Sequence, residues 1–303
     1  MTYSIVARDP DTGQLGVAVQ SHYFQVGPVV PWALAGVGAI ATQSMVNVSY
    51  GPNGLEMLRN GLTAEQTLKA LTSGDAMPEV RQAAIVDASG LVAAHTGSKC
   101  IPKAGHRTGD GYSCQANLME KDTVWDAMAH AFEHTKASLA ERLMAALDAA
   151  EAEGGDIRGK QSAAMLVVSG KPTGKSWEDR LVDLRVEDHP EPLHELRRLL
   201  TIRTAYDKDT EADKLDEAGD PAAARVMRLE AQRLLPDNVE LRFWAGIAIA
   251  QEGDLDGAAA LIAAAVRADP RWAPLLLERL VESERLTGEL AQQINSRLLS
   301  RSK

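Results

Sequence analysis

The chain has 303 residues, of which 45% are hydrophobic and 24% charged, and a formal net charge of −10. That is the composition of an ordinary globular chain long enough for two domains, which excludes wholesale disorder and fibrous repeats. The acidic balance argues against nucleic acid or a membrane surface as partner, because phosphate-rich surfaces require clustered Lys and Arg.

The first β-prone runs are Tyr3 to Ala7 and Leu15 to Gln20, separated by the polar breaker Asp9-Pro10-Asp11-Thr12-Gly13. Together they predict a hairpin. Gly36 to Gln43 is small and apolar throughout, the signature of a strand covered on both faces. A helical pattern opens at Pro52, breaks around Gly61 and stops at Gly74, which predicts two short helices. Gln82–Asp87 and Leu91–Thr96 predict a second hairpin, followed by a Gly-rich loop from Gly97 to Gly111. Helices are expected at Thr123–Lys136 and Leu139–Glu153, then strands at Ser162–Ser169 and Leu181–Val186. Strands, helices and strands again point to a layered α+β domain.

After His189-Pro190-Glu191-Pro192 the composition turns Ala-, Leu-, Arg- and Glu-rich with no further strand signal, so a boundary is drawn between 1–190 and 191–303. In the tail Gly219-Asp220 recurs as Gly253-Asp254, and Pro236 recurs as Pro270. Both pairs are about 34 residues apart, the period of a tetratricopeptide repeat. The tail is expected to be a degenerate, tetratricopeptide-like all-α domain.

Thr2 follows Met1, and a small side chain at that position is what removal of the initiator methionine requires. The freed α-amine would lie a few ångström from the Thr2 hydroxyl and, with a reference pKa of about 8, can take its proton. One residue would then supply both nucleophile and base. Cys114 with His106 is a rival nucleophile and base, both in or beside the Gly-rich segment. His130, Glu133 and His134 have the HxxEH spacing of inverted zinc metalloproteases, but the apolar positions Met128 and Phe132 leave them on the opposite helix face, which is expected to meet water. Cys100 and Cys114 are expected to be free thiols. The opening shows no basic stretch followed by an apolar run, and no segment nears the roughly 20 apolar residues of a membrane span, so a cytoplasmic location is expected.

Several segments resemble one family. They are Thr2 to Val6, Leu15-Gly16-Val17-Ala18-Val19, Val29-Val30-Pro31-Trp32-Ala33 and Ala41-Thr42-Gln43-Ser44. Ser49-Tyr50-Gly51-Pro52, Cys100-Ile101-Pro102 with Gly105-His106, and Gly111-Tyr112 with Cys114-Gln115 and Asn117 continue the likeness. Arg158-Gly159 and Gln161-Ser162-Ala163-Ala164 close it. The family is domain-of-unknown-function family 1028, which is similar to N-terminal nucleophile hydrolases. The resemblance implies a four-layer αββα sandwich with Thr2 opening a central strand, and an amide-type substrate. Proteasome-like relatives carry a Lys on the third strand, whereas Gly36 to Ser44 has none.

Without that Lys, polar groups must orient the amine and stabilise an oxyanion. Ser21, Gln43, Ser44 and Asn117 are therefore expected to act with Thr2. Asn47, Tyr50, His106, Arg158, Gln161 and Ser162 are assigned to substrate binding, with Arg158 either clamping a substrate carboxylate or pairing with Asp156. No metal and no cofactor are called for. Two functions follow from these readings. One is hydrolysis of a linear or cyclic C–N amide bond in a small molecule by a homo-oligomer. The other is a non-catalytic scaffold that binds a protein partner through the C-terminal repeats.

Overall fold

The computed structural model describes residues 2–273 and 275–301. Met1, whose removal is expected, lies outside the described residues. Strands β1 (Thr2–Arg8) and β2 (Leu15–Ser21) form the first hairpin, with Thr2 opposite Ser21. Its turn is tied by Asp9, whose carboxylate accepts from the Thr12 amide and hydroxyl, and by Gly13 at φ +71. The other strands are β3 (Pro31–Leu34), β4 (Gly38–Ser44), β5 (Arg81–Asp87), β6 (Val92–Thr96), β7 (Gly105–Gly109), β8 (Tyr112–Asn117), β9 (Ser162–Val168) and β10 (Arg180–Val186). They build two antiparallel sheets, ordered β10-β9-β2-β1-β8-β7 and β3-β4-β5-β6.

Side chains alternate across a strand, so a strand covered on both faces serves two cores. Tyr3, Ile5 and Ala7 of β1 face helices α3 (Val124–His134) and α4 (Leu139–Ala152), with Phe132, Leu143 and Leu147 in the same cluster. Val6 turns the other way, into a second cluster with Val17, Val19, Ala39, Ala41, Ala84 and Val86 that joins the two sheets. On the far face of the four-stranded sheet, Ile40 and Ile85 pack on α1 (Tyr50–Arg59) and α2 (Ala64–Ser73) through Leu58, Leu68 and Leu71. The two helices expected around Gly61 are thus both present. α2 opens on a capping box in which the Thr63 hydroxyl accepts from the Gln66 amide and the Gln66 side chain accepts from the Thr63 amide.

The second hairpin, the paired α3 and α4 and the last two strands form near the expected bounds. The segment Gly97 to Gly111 is only partly a loop, because it contains β7. That strand is a sheet edge whose His106, Arg107 and Thr108 are exposed, so it lacks the apolar alternation by which a strand is recognised. β3 and β8 are further strands beyond those expected from the sequence. β8 sends Tyr112, Cys114 and Ala116 to the helix-covered core while Ser113, Gln115 and Asn117 are polar yet fully buried.

Residues 1–200 and 201–303 form two compact units. Helix α5 (Pro192–Glu217) contributes to both, its Leu193, Leu196 and Leu200 lying in the core of the first. The second unit is all-helical. Its remaining helices are α6 (Pro221–Leu234), α7 (Val239–Gln251), α8 (Leu255–Ala268), α9 (Leu275–Glu282) and α10 (Gly288–Arg301). Phe243, Ile247, Ile262, Leu277 and Ile294 make its core. The repeated Gly-Asp pairs do the same local job twice. Gly219 and Gly253 take φ of +82 and +94, and Asp220 and Asp254 then cap α6 and α8 by accepting from Ala223 and Gly257 amides.

Two expectations follow from this packing. A Cβ on Gly51 would stand 2.3 Å from the Trp32 indole, so Gly51→Ala should destabilise the protein by about 1–3 kcal/mol although Ala is the better helix former. A denaturant midpoint that is unchanged or raised would show that α1 does not rest on Trp32. A fragment ending at residue 200 should unfold cooperatively in urea. One ending at 190 loses three buried leucines and should be weaker by about 4 kcal/mol or more.

Candidate active site

Thr2 is the first residue of a strand flanked on both sides, by β2 and β8, and its alternation turns it towards the four-stranded sheet. Only 5% of it is exposed. Its Oγ1 lies 2.9 Å from Ser21 Oγ, the residue opposite it on β2. Its carbonyl oxygen accepts from Gln43 Nε2 at 3.3 Å and Asn117 Nδ2 at 3.4 Å. Beside the hydroxyl is a cavity of about 50 Å3 to which Thr2, Ser21, Gln43 and Ser44 contribute the polar wall. None of the described residues lining it carries a formal charge.

Behind Thr2 the space between the sheets is filled by paired amides and hydroxyls. Gln43 Oε1 accepts from Ser4 Oγ at 2.6 Å, and Ser4 Oγ accepts from Gln115 Nε2 at 2.6 Å. Gln43 and Asn117 both donate to Gln82 Oε1, each at 2.8 Å. Gln82 Nε2 in turn donates to the Ala116 carbonyl and to Thr96 Oγ1, which hydrogen-bonds His106 Nδ1 at 2.8 Å. The side chains of Ser4, Gln43, Gln82, Gln115 and Asn117 are buried and find partners, as polar groups in a dry interior must. Asn117 Oδ1 is the exception, buried and without a partner among the described residues.

The chain turns sharply right after two of these residues. Ser44 follows Gln43 at φ +71, and Leu118 follows Asn117 at φ +58. Non-glycine residues adopt this left-handed backbone only against a steric cost, and such strain gathers at functional sites.

The structure brings Thr2, Ser21, Gln43, Ser44 and Asn117 together. The six residues assigned to substrate binding spread around them. Asn47 donates to Asp75 Oδ2 at 2.9 Å, and Arg81 Nε donates to the same oxygen at 2.9 Å. These bonds, from Arg81 first and then Asn47, hold the Asp75 carboxyl well below the usual carboxylate range. Tyr50 is buried next to this pair, and burial followed by the Asp75 carboxylate pushes its phenol up to about 12. His106 ends the amide chain on the exposed strand β7. Arg158 pairs with Asp156 through Nε at 3.1 Å and Nη2 at 2.8 Å. Gln161 donates to Asp188, and Ser162 donates to the Tyr23 carbonyl at 2.6 Å while accepting from the Val26 amide. Ser162 thereby shapes the loop that walls the cavity.

Sequence reasoning missed Ser4, Gln82, Thr96, Ser113 and Gln115. Ser4 was within reach, since it shares the alternation of Thr2. Gln115 was not, because the alternation of Tyr112, Cys114 and Ala116 with Ser113, Gln115 and Asn117 reads as a strand with one face in solvent, not as a polar network between sheets.

The rival constellations separate. Cys114 belongs to the helix-covered core, and burial pushes its thiol well above the usual range. Its strand neighbour Gln115, not Cys114, pairs with His106 across β7 and β8. His130 and His134 are exposed with their rings 4.0 Å apart, and Glu133 accepts from the Tyr112 hydroxyl.

Known proteins bear on the first unit. A solved structure of a protein from Silicibacter pomeroyi, assigned to family model DUF1028, is 33% identical, with a TM-score of 0.61 over 67% of this chain and 86% of that one. Anbu (ancestral beta-subunit) from Yersinia bercovieri aligns at 11% identity and a TM-score of 0.34, over 65% of this chain and 92% of that one, a likeness too low to bear on function. No match was found among the curated proteins. The model of the Family of unknown function (DUF1028) matches residues 2–196, which carry Thr2 and every residue of the amide network, and the chain belongs to that family.

Proposed function

We propose that this protein is a hydrolase that cleaves the amide bond of a small molecule, linear or cyclic, with Thr2 as its N-terminal nucleophile once Met1 is removed. The observation that carries the reading is the Thr2 hydroxyl at 2.9 Å from Ser21 Oγ, on the wall of an uncharged cavity. The freed α-amine takes the hydroxyl proton as Oγ1 attacks the carbonyl carbon. The C–N bond then breaks, the proton passes to the leaving nitrogen, and the acyl group stays on Thr2 as an ester. Water, deprotonated by the same amine, releases the acid.

Ser21 orients the hydroxyl, while Gln43 and Asn117 fix the Thr2 carbonyl and so the strand end that bears the nucleophile. Ser44 closes the polar wall. The unpartnered Asn117 Oδ1 is an acceptor of the kind an α-ammonium would use. We read the two facing sheets with their flanking helix pairs as the αββα sandwich of N-terminal nucleophile hydrolases, supported by the core between the sheets and those outside them. The helical second unit is read as tetratricopeptide-like, supported by its twice-used Gly-Asp helix junction. Assembly into a homo-oligomer in the cytoplasm, with a protein partner at the second unit, belongs to the same proposal.

Amide hydrolysis should fall at least about 10³-fold in Thr2→Ala and persist in part in Thr2→Ser, which keeps hydroxyl and amine. A folded Thr2→Ala protein with wild-type turnover would sink the mechanism. Because the base must be the neutral amine, kcat/KM should rise with pH through the amine's own pKa, near 8 for a reference α-amine. A rate flat between pH 6 and about 9 would speak against it. Cys114→Ala should keep wild-type kcat/KM, since its buried thiol faces the other core. A specific loss in a folded variant would transfer the chemistry to the thiol.

A further inference from the structure

The wall of the Thr2 cavity also speaks to what it would accept, a point that rests on the hydrolase reading above. Besides the hydroxyls and amides it is lined by Val26, Val29, Val30 and Val46, and by Tyr23. Val26 and Val30 are 1% and 3% exposed, so this wall belongs to the packed core and does not yield easily. The free space of about 50 Å3 admits roughly four water-sized atoms, enough for a carbonyl bearing one or two carbons. No Lys, Arg or His among the described lining residues could pair with a carboxylate, and no acid could pair with an amine. Burying such an unpaired charge would be strongly unfavourable.

Outside the cavity the surface changes character without becoming charged. Tyr23 is 53% exposed, its chain neighbour Phe24 55%, and Met45, between the lining residues Ser44 and Val46, 58%. Large apolar side chains this exposed, in the segments that line the cavity, offer an apolar contact to a ligand that extends out of it. Both loops are held: Ser162 donates to the Tyr23 carbonyl, and Arg81 donates to the Met45 carbonyl.

We propose that the substrate is an uncharged amide whose acyl group is short and aliphatic, of about two or three carbons, and whose amine portion is apolar and lies over Tyr23, Phe24 and Met45. The valine wall receives the acyl chain, and the scissile carbonyl carbon meets Thr2 Oγ1. The Oγ1–C bond forms first, and the C–N bond then breaks as the hydroxyl proton, carried by the α-amine, passes to the departing amine. Water then gives a short carboxylic acid.

The test is a panel of anilides carrying acetyl, propionyl, hexanoyl or succinyl groups. Wild-type kcat/KM should favour acetyl or propionyl over hexanoyl and over succinyl by at least about tenfold, the scale on which a pocket rejects extra methylenes. Val30→Ala should narrow the gap between propionyl and hexanoyl. Binding is followed separately in full-length Thr2→Ala, where propionanilide should saturably shift valine methyl NMR signals and succinylanilide should not. A preference for hexanoyl or succinyl, or no saturable shift with propionanilide, overturns the assignment. Saturable binding at the valines with no cleavage by wild type would uphold the pocket while removing the hydrolase reading.

Discussion

Between the two sheets, an amide that leaves water must find its partner across the gap, and this requirement organises the Thr2 end of the molecule. Ser4, Gln115 and Asn117 come from the six-stranded sheet, Gln43 and Gln82 from the four-stranded one, and Ser4–Gln43, Asn117–Gln82 and the bonds from Gln43 to the Thr2 and Gln115 carbonyls and from Gln82 to the Ala116 carbonyl run between the sheets. Leaving one such group unpaired costs about 1–3 kcal/mol. The sheets therefore have little freedom to slide past one another where the network lies. Towards the other end Val6, Val17 and Val86 fill the same space with apolar contacts, which fix distance but not direction. The nucleophile candidate sits where the interface is directional.

Charge is kept out of that interface and used at its margins. Asp75 with Arg81 and Asn47 secures the segment after β4, and Asp156 with Arg158 secures the segment before β9 while also accepting from the His22 amide. Asp75 and Asp156 are nearly inaccessible at their side chains, at 4% and 0%, so removing either Arg would strand a buried carboxylate. These pairs tether the segments around the cavity, and none of their charged groups is among the described residues that line it. Arg158, for which two roles were open, is engaged by its own neighbour through two nitrogens.

Much of the fold could be read because its strands near the N-terminus are β-prone or apolar throughout, and because Gly61 and Gly74 punctuate the first helices. The strands that escaped notice had physical reasons to do so. β7 faces solvent, and β8 carries fully buried polar residues where a core strand would be expected to show apolar ones. The same burial of polar groups hid half of the site. Thr2, Ser21, Gln43, Ser44 and Asn117 could be named individually, but Gln82 as shared acceptor of Gln43 and Asn117 is a property of two strands brought together. The left-handed turns at Ser44 and Leu118 leave no trace in residue type.

The bonds that hold Thr2 differ greatly in the length of chain they close. Its hydroxyl partner is 19 residues away within one hairpin, whereas its carbonyl partners are 41 and 115 residues away. Short loops close first because they forfeit less chain entropy. On a growing chain the Thr2–Ser21 contact is available as soon as the hairpin emerges, while the clamp on the strand end waits until residue 117 has left the ribosome. The hydroxyl pair is thus an early folding product, and the frame that aims it is assembled late.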